Sequence, residues 1–88
     1  MKYDYALSRE AERYFRRLES RRQTQVLELL EQLCMNPLDP LISRPLSGEW
    51  QGARRSRLGN LRLIYEVLED RLLVSVLRLG PRGDIYKD

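Results

Sequence analysis

Between residues 44 and 65 the chain carries Arg44, Arg54, Arg55, Arg57 and Arg62 against a single acid, Glu49. A guanidinium is a planar fork that grips phosphate with two hydrogen bonds and stays charged at any working pH. Arg55 and Arg57 are two apart, so on a strand they share a face. Arg62 follows a Gly59-Asn60 turn signal, which sets it across from them on the next strand. Guanidinium groups brought together repel unless an anion sits among them, and such a local field suits a polyanion. The plain alternative is a solvated charged face, partly neutralised by Glu66 or Glu69. A second set lies near the C-terminus, Arg82-Gly-Asp-Ile-Tyr86. Little sequence is left there to bury a tyrosine, and a tyrosine that stacks on a nucleobase contributes roughly 1–3 kcal/mol. Its plain alternative is a ring packed on a sheet edge. Trp50 can stack too, although an anchor at the start of a strand is the commoner role.

The rest of the composition narrows the chemistry. Fourteen of the 16 basic residues are arginine, and there is no histidine. Histidine-based triads, Cys–His pairs and His-containing zinc sites are excluded. Cys34, the single cysteine, cannot form an internal disulfide; it falls on an apolar helix stripe and reads as a buried thiol. Asp39 and Asp84 have no second carboxylate near them in sequence. The glycines mark turns and lack phosphate-loop spacing. No metal or cofactor is expected. RNA cleavage survives these exclusions, because the 2′-hydroxyl is an internal nucleophile beside the scissile phosphate. Arginines orient that phosphate and stabilise its transition state well. They move protons poorly, since their pKa lies above about 12.

The elements that position these residues follow from periodicity. With 88 residues the chain is read as one domain, 1–88, with 33% charged and 42% hydrophobic residues. Its net charge of +3 falls in the second half: residues 1–43 carry seven charges of each sign, and residues 44–88 carry nine positive and six negative. Residues 2–7 alternate as a short strand. Ser8 caps a helix whose apolar residues are Leu7, Ala11, Tyr14, Phe15 and Leu18. Ser20-Arg-Arg-Gln23 reads as a capping box opening a second helix, striped by Val26, Leu29, Leu30 and Leu33 and ended by Pro37. The short join at Glu19–Ser20 implies an antiparallel helix pair. Residues 37–49 hold three prolines and a glycine and read as a loop. Strands are expected over 50–58, 61–67 and 71–79. The last is apolar on both faces and therefore central, with Gly80-Pro81 breaking it. The fold class is α+β: two antiparallel N-terminal helices packed on one face of a small, mainly antiparallel β-sheet, in the order β-α-α-β-β-β. The other face is expected to be open and to carry the arginines. No apolar run is long enough to span a membrane or to serve as a secretion signal, so a cytoplasmic location is expected.

The stretch Arg55-Ser-Arg57-Leu-Gly-Asn-Leu-Arg62-Leu-Ile-Tyr65 resembles the R-x-R-x-G-x-x-R-x-[IV]-Y core of the RelE/ParE toxin superfamily. The run from Val74 to Tyr86 resembles that superfamily's last strand and the R-x-x-[IV]-Y ending of its RelE-like mRNA interferase branch. The likeness spans essentially the whole chain. It implies the toxin of a type II toxin–antitoxin system, a metal-independent endoribonuclease that cuts mRNA in the A site of the 70S ribosome. The products implied are a 2′,3′-cyclic phosphate and a 5′-hydroxyl, with inhibition of translation. A RelB-type antitoxin is the implied partner, through an acidic and apolar segment, and operator DNA is met only through that antitoxin. By position Arg62 resembles the arginine on the scissile phosphate, Arg82 the proposed general acid, and Tyr86 the aromatic that orients the nucleotide. Arg55 and Arg57 fall where well-studied members have lysines implicated in proton removal and charge stabilisation, and Arg54 joins them as an RNA contact. The alternative is a ParE-like toxin, which shares the fold, inhibits DNA gyrase and cleaves nothing.

Overall fold

A computed structural model describes residues 2–81. The chain runs β1 (Asp4–Leu7), α1 (Arg9–Arg17), α2 (Ser20–Met35), β2 (Ser43–Pro45), β3 (Arg54–Leu58), β4 (Leu61–Leu68) and β5 (Leu73–Pro81). Single 3-10 turns lie at Gly48–Trp50 and Glu69–Arg71. The five strands form one sheet in the order β1-β5-β4-β3-β2. β1 pairs with β5 in parallel, and the other pairs are antiparallel. The last strand is thus central, as its two-sided apolarity requires.

Both helices bury their stripes in one core against the same face of the sheet. Ala11, Val26, Leu30, Leu33 and Cys34 meet Leu61, Leu63, Tyr65, Val74, Val76 and Leu79 there. Tyr65 is wholly buried, and its hydroxyl donates to the Pro37 carbonyl. A phenol in a core needs such a partner, and this one ties the loop after α2 to the middle of β4. The Cys34 thiol is pushed above its ordinary pKa, chiefly by burial. Among the described residues no helix is long and apolar enough to cross a membrane.

Several local expectations need correction. Ser8 does cap α1, its hydroxyl accepting from the Ala11 amide at 3.0 Å. The capping box at Ser20 does not form: Ser20 is already helical and Glu19 is the cap residue, with no side-chain bond. The Gln23 amide instead donates to the Phe15 carbonyl at 3.0 Å, closing the end of α1. With only Leu18 and Glu19 between the helices, the Phe15 carbonyl, which also accepts from the Leu18 amide at 3.1 Å, is near enough to take that side chain. Gly48 and Gly52 adopt φ of +68° and +98°, so the strand expected over 50–58 shortens to Arg54–Leu58. Part of the loop at 37–49 pairs after all, as β2 on the sheet edge, where Pro45 needs no ladder donor.

The end of β5 differs most. Tyr65 faces Val76 while Ile64 faces Arg78, so Leu77 is an extra residue. This β-bulge reverses the alternation. Leu79 turns into the core, Arg78 and Gly80 turn to the opposite face, and the strand runs on through Pro81 rather than breaking at Gly80-Pro81. β1 has already ended opposite Val76, so Pro81 leaves no ladder bond unmade on that side.

Gln23→Ala is expected to lower stability by about 1 kcal/mol, the worth of one part-buried hydrogen bond, and Ser20→Ala to change it by less than half that. Urea denaturation of the two variants checks the reassigned cap. Both Cys34 and Tyr3 have folded pKa values above their ordinary 9.0 and 10.0, the tyrosine because its hydroxyl donates to Glu69 at 2.7 Å. For acids raised by folding, the stability contribution is complete below the unfolded pKa and is lost as pH rises toward the folded value. Unfolding should therefore become easier above about pH 9, and Cys34→Ala should flatten the first part of that decline, read from urea midpoints against pH.

Candidate functional site: an arginine face on the sheet

The face opposite the helices is organised by register. One cross-strand row reads Arg44, Arg55, Ile64, Arg78 across β2, β3, β4 and β5. The next reads Arg57, Arg62, Gly80 across β3, β4 and β5. Arg44 directly opposes Arg55, and Arg57 directly opposes Arg62. Like charges opposite one another destabilise a sheet by roughly 0.2–1 kcal/mol per pair. Two such pairs on one face make a surface that an anion would stabilise.

The arginines differ in how they are held. Arg57 is exposed and Arg55 half-buried. With Arg44 they line a groove of about 370 Å³ whose other wall is Pro40–Ile42. Arg62 is only 5% exposed. Its Nη1 donates to the carbonyls of Gly59 and Leu61, both at 3.1 Å, so its guanidinium bends back to the β3–β4 turn. That turn is two residues long, with Gly59 at φ +61° and Asn60 at negative φ. Glycine first is the order a type II′ turn requires. Arg22 of α2 clamps it by donating to Asn60 Oδ1 at 2.9 Å.

Arg54 does not join the face. It opposes Tyr65 on the core side, and its Nε and Nη2 both donate to Ser43 Oγ, at 3.0 and 2.9 Å. Ser43 in turn donates to the Asp39 carbonyl at 3.1 Å. Arg54 therefore fastens β2 and the Asp39 turn, and so holds the wall of the Arg55–Arg57 groove. Of the other candidates, Arg82 and Tyr86 lie outside the described residues. Glu69, considered as a neutraliser, is bonded to Tyr3.

The face is not fully open. Residues 46–53 fold over the first row: Leu46, Trp50 and Leu77 pack on Ala53 and Ile64. The Arg78 guanidinium lies 5.3 Å from the centre of the Trp50 ring, a cation–π contact, and Arg78 Nε lies 3.5 Å from Glu10 of α1. Sequence reasoning missed Arg44 and Arg78 as members of this face. Arg44 sat in a stretch read as loop. Arg78 lies in a run that reads as apolar on both faces, and no sequence signal marks the bulge.

Among the described residues no cluster of His, Cys, Asp or Glu is arranged to hold a metal ion. The sheet offers cations and hydrogen-bond donors, which suits binding of a phosphate and stabilisation of added charge on it.

The fold is that of RelE-like toxins, found in many solved structures. The toxin–antitoxin complex RelBE2 from Mycobacterium tuberculosis includes a chain with a TM-score of 0.82 and 28% identity, covering 93% of this chain and 100% of that one. A chain of the archaeal RelE–RelB complex from Pyrococcus horikoshii gives a TM-score of 0.79 and 26% identity, over 96% of this chain and 99% of that one. The isolated RelE toxin of E. coli, at 23% identity and a TM-score of 0.76 over 96% and 90%, shares the fold. No curated protein matches in sequence. The family model described as ParE toxin of type II toxin–antitoxin system, parDE, matches residues 5–86. The chain belongs to that toxin family, within the RelE/ParE superfamily. It is a toxin of the type II toxin–antitoxin class.

Arg54→Ala should lower stability by about 1–2 kcal/mol, because it removes a part-buried charged donor pair. Arg57→Glu should raise stability by about 0.5 kcal/mol by turning a repulsive cross-strand pair into an attractive one. Equilibrium urea unfolding of both variants checks the division between a structural arginine and a site arginine.

Proposed function

We propose that this toxin is a ribosome-dependent endoribonuclease that cleaves mRNA in the A site and so stops translation in the cytoplasm. The observation that carries the reading is the pair of opposed arginines, Arg57 and Arg62, with Arg55 in the neighbouring row and no acid in either row among the described residues. Such a row is costly in an empty sheet and suited to a phosphodiester.

In this reading the 2′-oxygen attacks the adjacent phosphorus and the bond to the 5′-oxygen breaks. A 2′,3′-cyclic phosphate and a 5′-hydroxyl result. Arg62, oriented by the turn carbonyls, grips the phosphate, and Arg57 and Arg55 stabilise the added negative charge of the transition state. Two protons must move: one leaves the 2′-hydroxyl and one reaches the leaving 5′-oxygen. Arg82 is the proposed donor of the second, and Tyr86 orients the nucleotide. Arginine at 55 and 57 is a poor base. The first proton is therefore taken by a group outside the row, a part that the ribosome can play. A RelB-type antitoxin, with an acidic and apolar segment, silences the toxin by covering the arginine face. The toxin–antitoxin complexes among its structural relatives support that partner, and operator DNA is reached only through it.

The family description favours a second reading, a ParE-like toxin that inhibits DNA gyrase without cleavage. Translation in a bacterial cell-free extract, with primer extension on the messenger, separates the two. The expected result is discrete cuts within codons, present only with ribosomes and reduced at least tenfold in Arg57→Ala and in Arg62→Lys, which keeps the buried charge but not the fork. Intact messenger together with inhibited gyrase supercoiling would install the second reading. Activity in neither assay would remove both.

A further inference from the structure

We infer that the cleft between α1 and the end of β5 is a second RNA-binding subsite, which takes the phosphate of a neighbouring nucleotide on the same strand. The inference rests on the RNA reading above and adds the path of the strand beyond the scissile phosphate.

The cleft exists because β1 is short. β1 ends at Leu7, opposite Val76, so beyond that point no strand flanks β5 and α1 lies alongside instead. The space between them is about 260 Å³ and is lined by Arg13, Tyr14, Arg17, Arg78 and Gly80, with Glu10 as the one acid among the described residues. Arg13 and Arg17 are four apart, so they project from one side of the helix. Both are exposed, and among the described residues neither forms an ion pair. A like-charge pair at this spacing weakens a helix by a few tenths of a kcal/mol, roughly, which a bound anion reverses. Glu10 is engaged with Arg78 at 3.5 Å, and Trp50 backs the same guanidinium, so Arg78 is held at the cleft by contacts from two other elements.

Continuity with the arginine face is the stronger argument. Gly80 lies directly beside Arg62 in the cross-strand row and also lines the cleft. One strand spacing, about 4.8 Å, therefore separates the residue assigned to the scissile phosphate from the cleft's rim. Gly80 carries no side chain to stand between them. The row Arg57–Arg62–Gly80 runs toward the cleft, and the row Arg55–Ile64–Arg78 ends in it. A basic groove that tracks the backbone, with an aromatic such as Tyr14 in its wall, is the usual form of a single-strand site. An acidic peptide is the competing occupant. The single-strand reading is preferred because the cleft continues a row already assigned to phosphate.

The test is binding, not cleavage. Fluorescein-labelled 2′-O-methyl RNA lacks the nucleophilic hydroxyl, so its dinucleotide and hexanucleotide report affinity by anisotropy across a salt series. The double variant Arg13→Ala/Arg17→Ala, with its fold checked by circular dichroism, should bind the hexanucleotide about tenfold more weakly. Its log–log salt slope should fall by about 0.7 for each phosphate that the variant no longer neutralises. Dinucleotide affinity should stay within about twofold, since that probe is satisfied by the sheet face alone. Unchanged hexanucleotide affinity and slope would overturn the subsite. So would a double variant that keeps its RNA affinity and loses affinity for the antitoxin peptide, which would assign the cleft to the partner. If Arg57→Ala leaves both probes unaffected while the helix variant weakens the hexanucleotide, the sheet-face reading fails and the cleft remains an RNA site. A wild-type chain that binds neither probe at low salt would end both.

Discussion

Strand β4 has to be buried on both faces while it carries a permanent cation. Leu61, Leu63 and Tyr65 close the helical core, and Ile64 closes a smaller cluster on the other side. Arg62, between them, is one of only three polar or charged residues among those described to be buried. A guanidinium cannot discharge itself by losing its proton, so it must be hydrogen-bonded where it lies. The β3–β4 turn meets that demand by presenting the carbonyls of Gly59 and Leu61. The turn in turn requires glycine at 59 and is clamped from α2 by Arg22. Central strand, hairpin and second helix thus converge on the orientation of one side chain.

The cations are divided between two kinds of work. In the first half of the chain, Lys2 lies 3.6 Å from Glu31 and Arg16 3.3 Å from Glu12, exposed pairs of little energetic weight. In the second half Arg54 donates to a serine hydroxyl and Arg62 to turn carbonyls, while Arg78 lies between an indole face and the Glu10 carboxylate. Neutral acceptors orient a guanidinium without cancelling its charge. At Arg62 such hydrogen bonds fix the direction of the guanidinium on the face. The like-charge rows cost some fold stability, a cost commonly concentrated at sites of function.

Arg54, Arg55 and Arg57 look alike as sequence, and the fold treats them differently. Alternation puts Arg55 and Arg57 on one face, whereas Arg54, expected beside them as an RNA contact, lies on the core side opposite Tyr65. What it cannot supply is the destination of Arg54, since Ser43 reaches it only through a strand of three residues inside a proline-rich stretch. Gln23 shows the same limit. Its spacing from Ser20 is that of a capping box, yet a carbonyl eight residues back in the preceding helix takes its amide. In both cases the local pattern was real and a partner distant in sequence, or across a helix join, won the hydrogen bond.

What the sequence determined by itself is whatever short-range periodicity and composition encode. That covers the two helices and their buried stripes, the Ser8 cap, the Gly59-Asn60 hairpin, the central last strand and the placement of Arg55, Arg57 and Arg62 around one turn. Tertiary structure alone decided which residues complete the face. The extra residue at Leu77 inverts the alternation of β5, bringing Arg78 and Gly80 beside Ile64 and Arg62 and sending Leu79 inward. A bulge is set by how two strands accommodate each other's twist and by what lies on both of their faces. Those are pairwise and non-local conditions. A period of two read along one strand has no means of registering them.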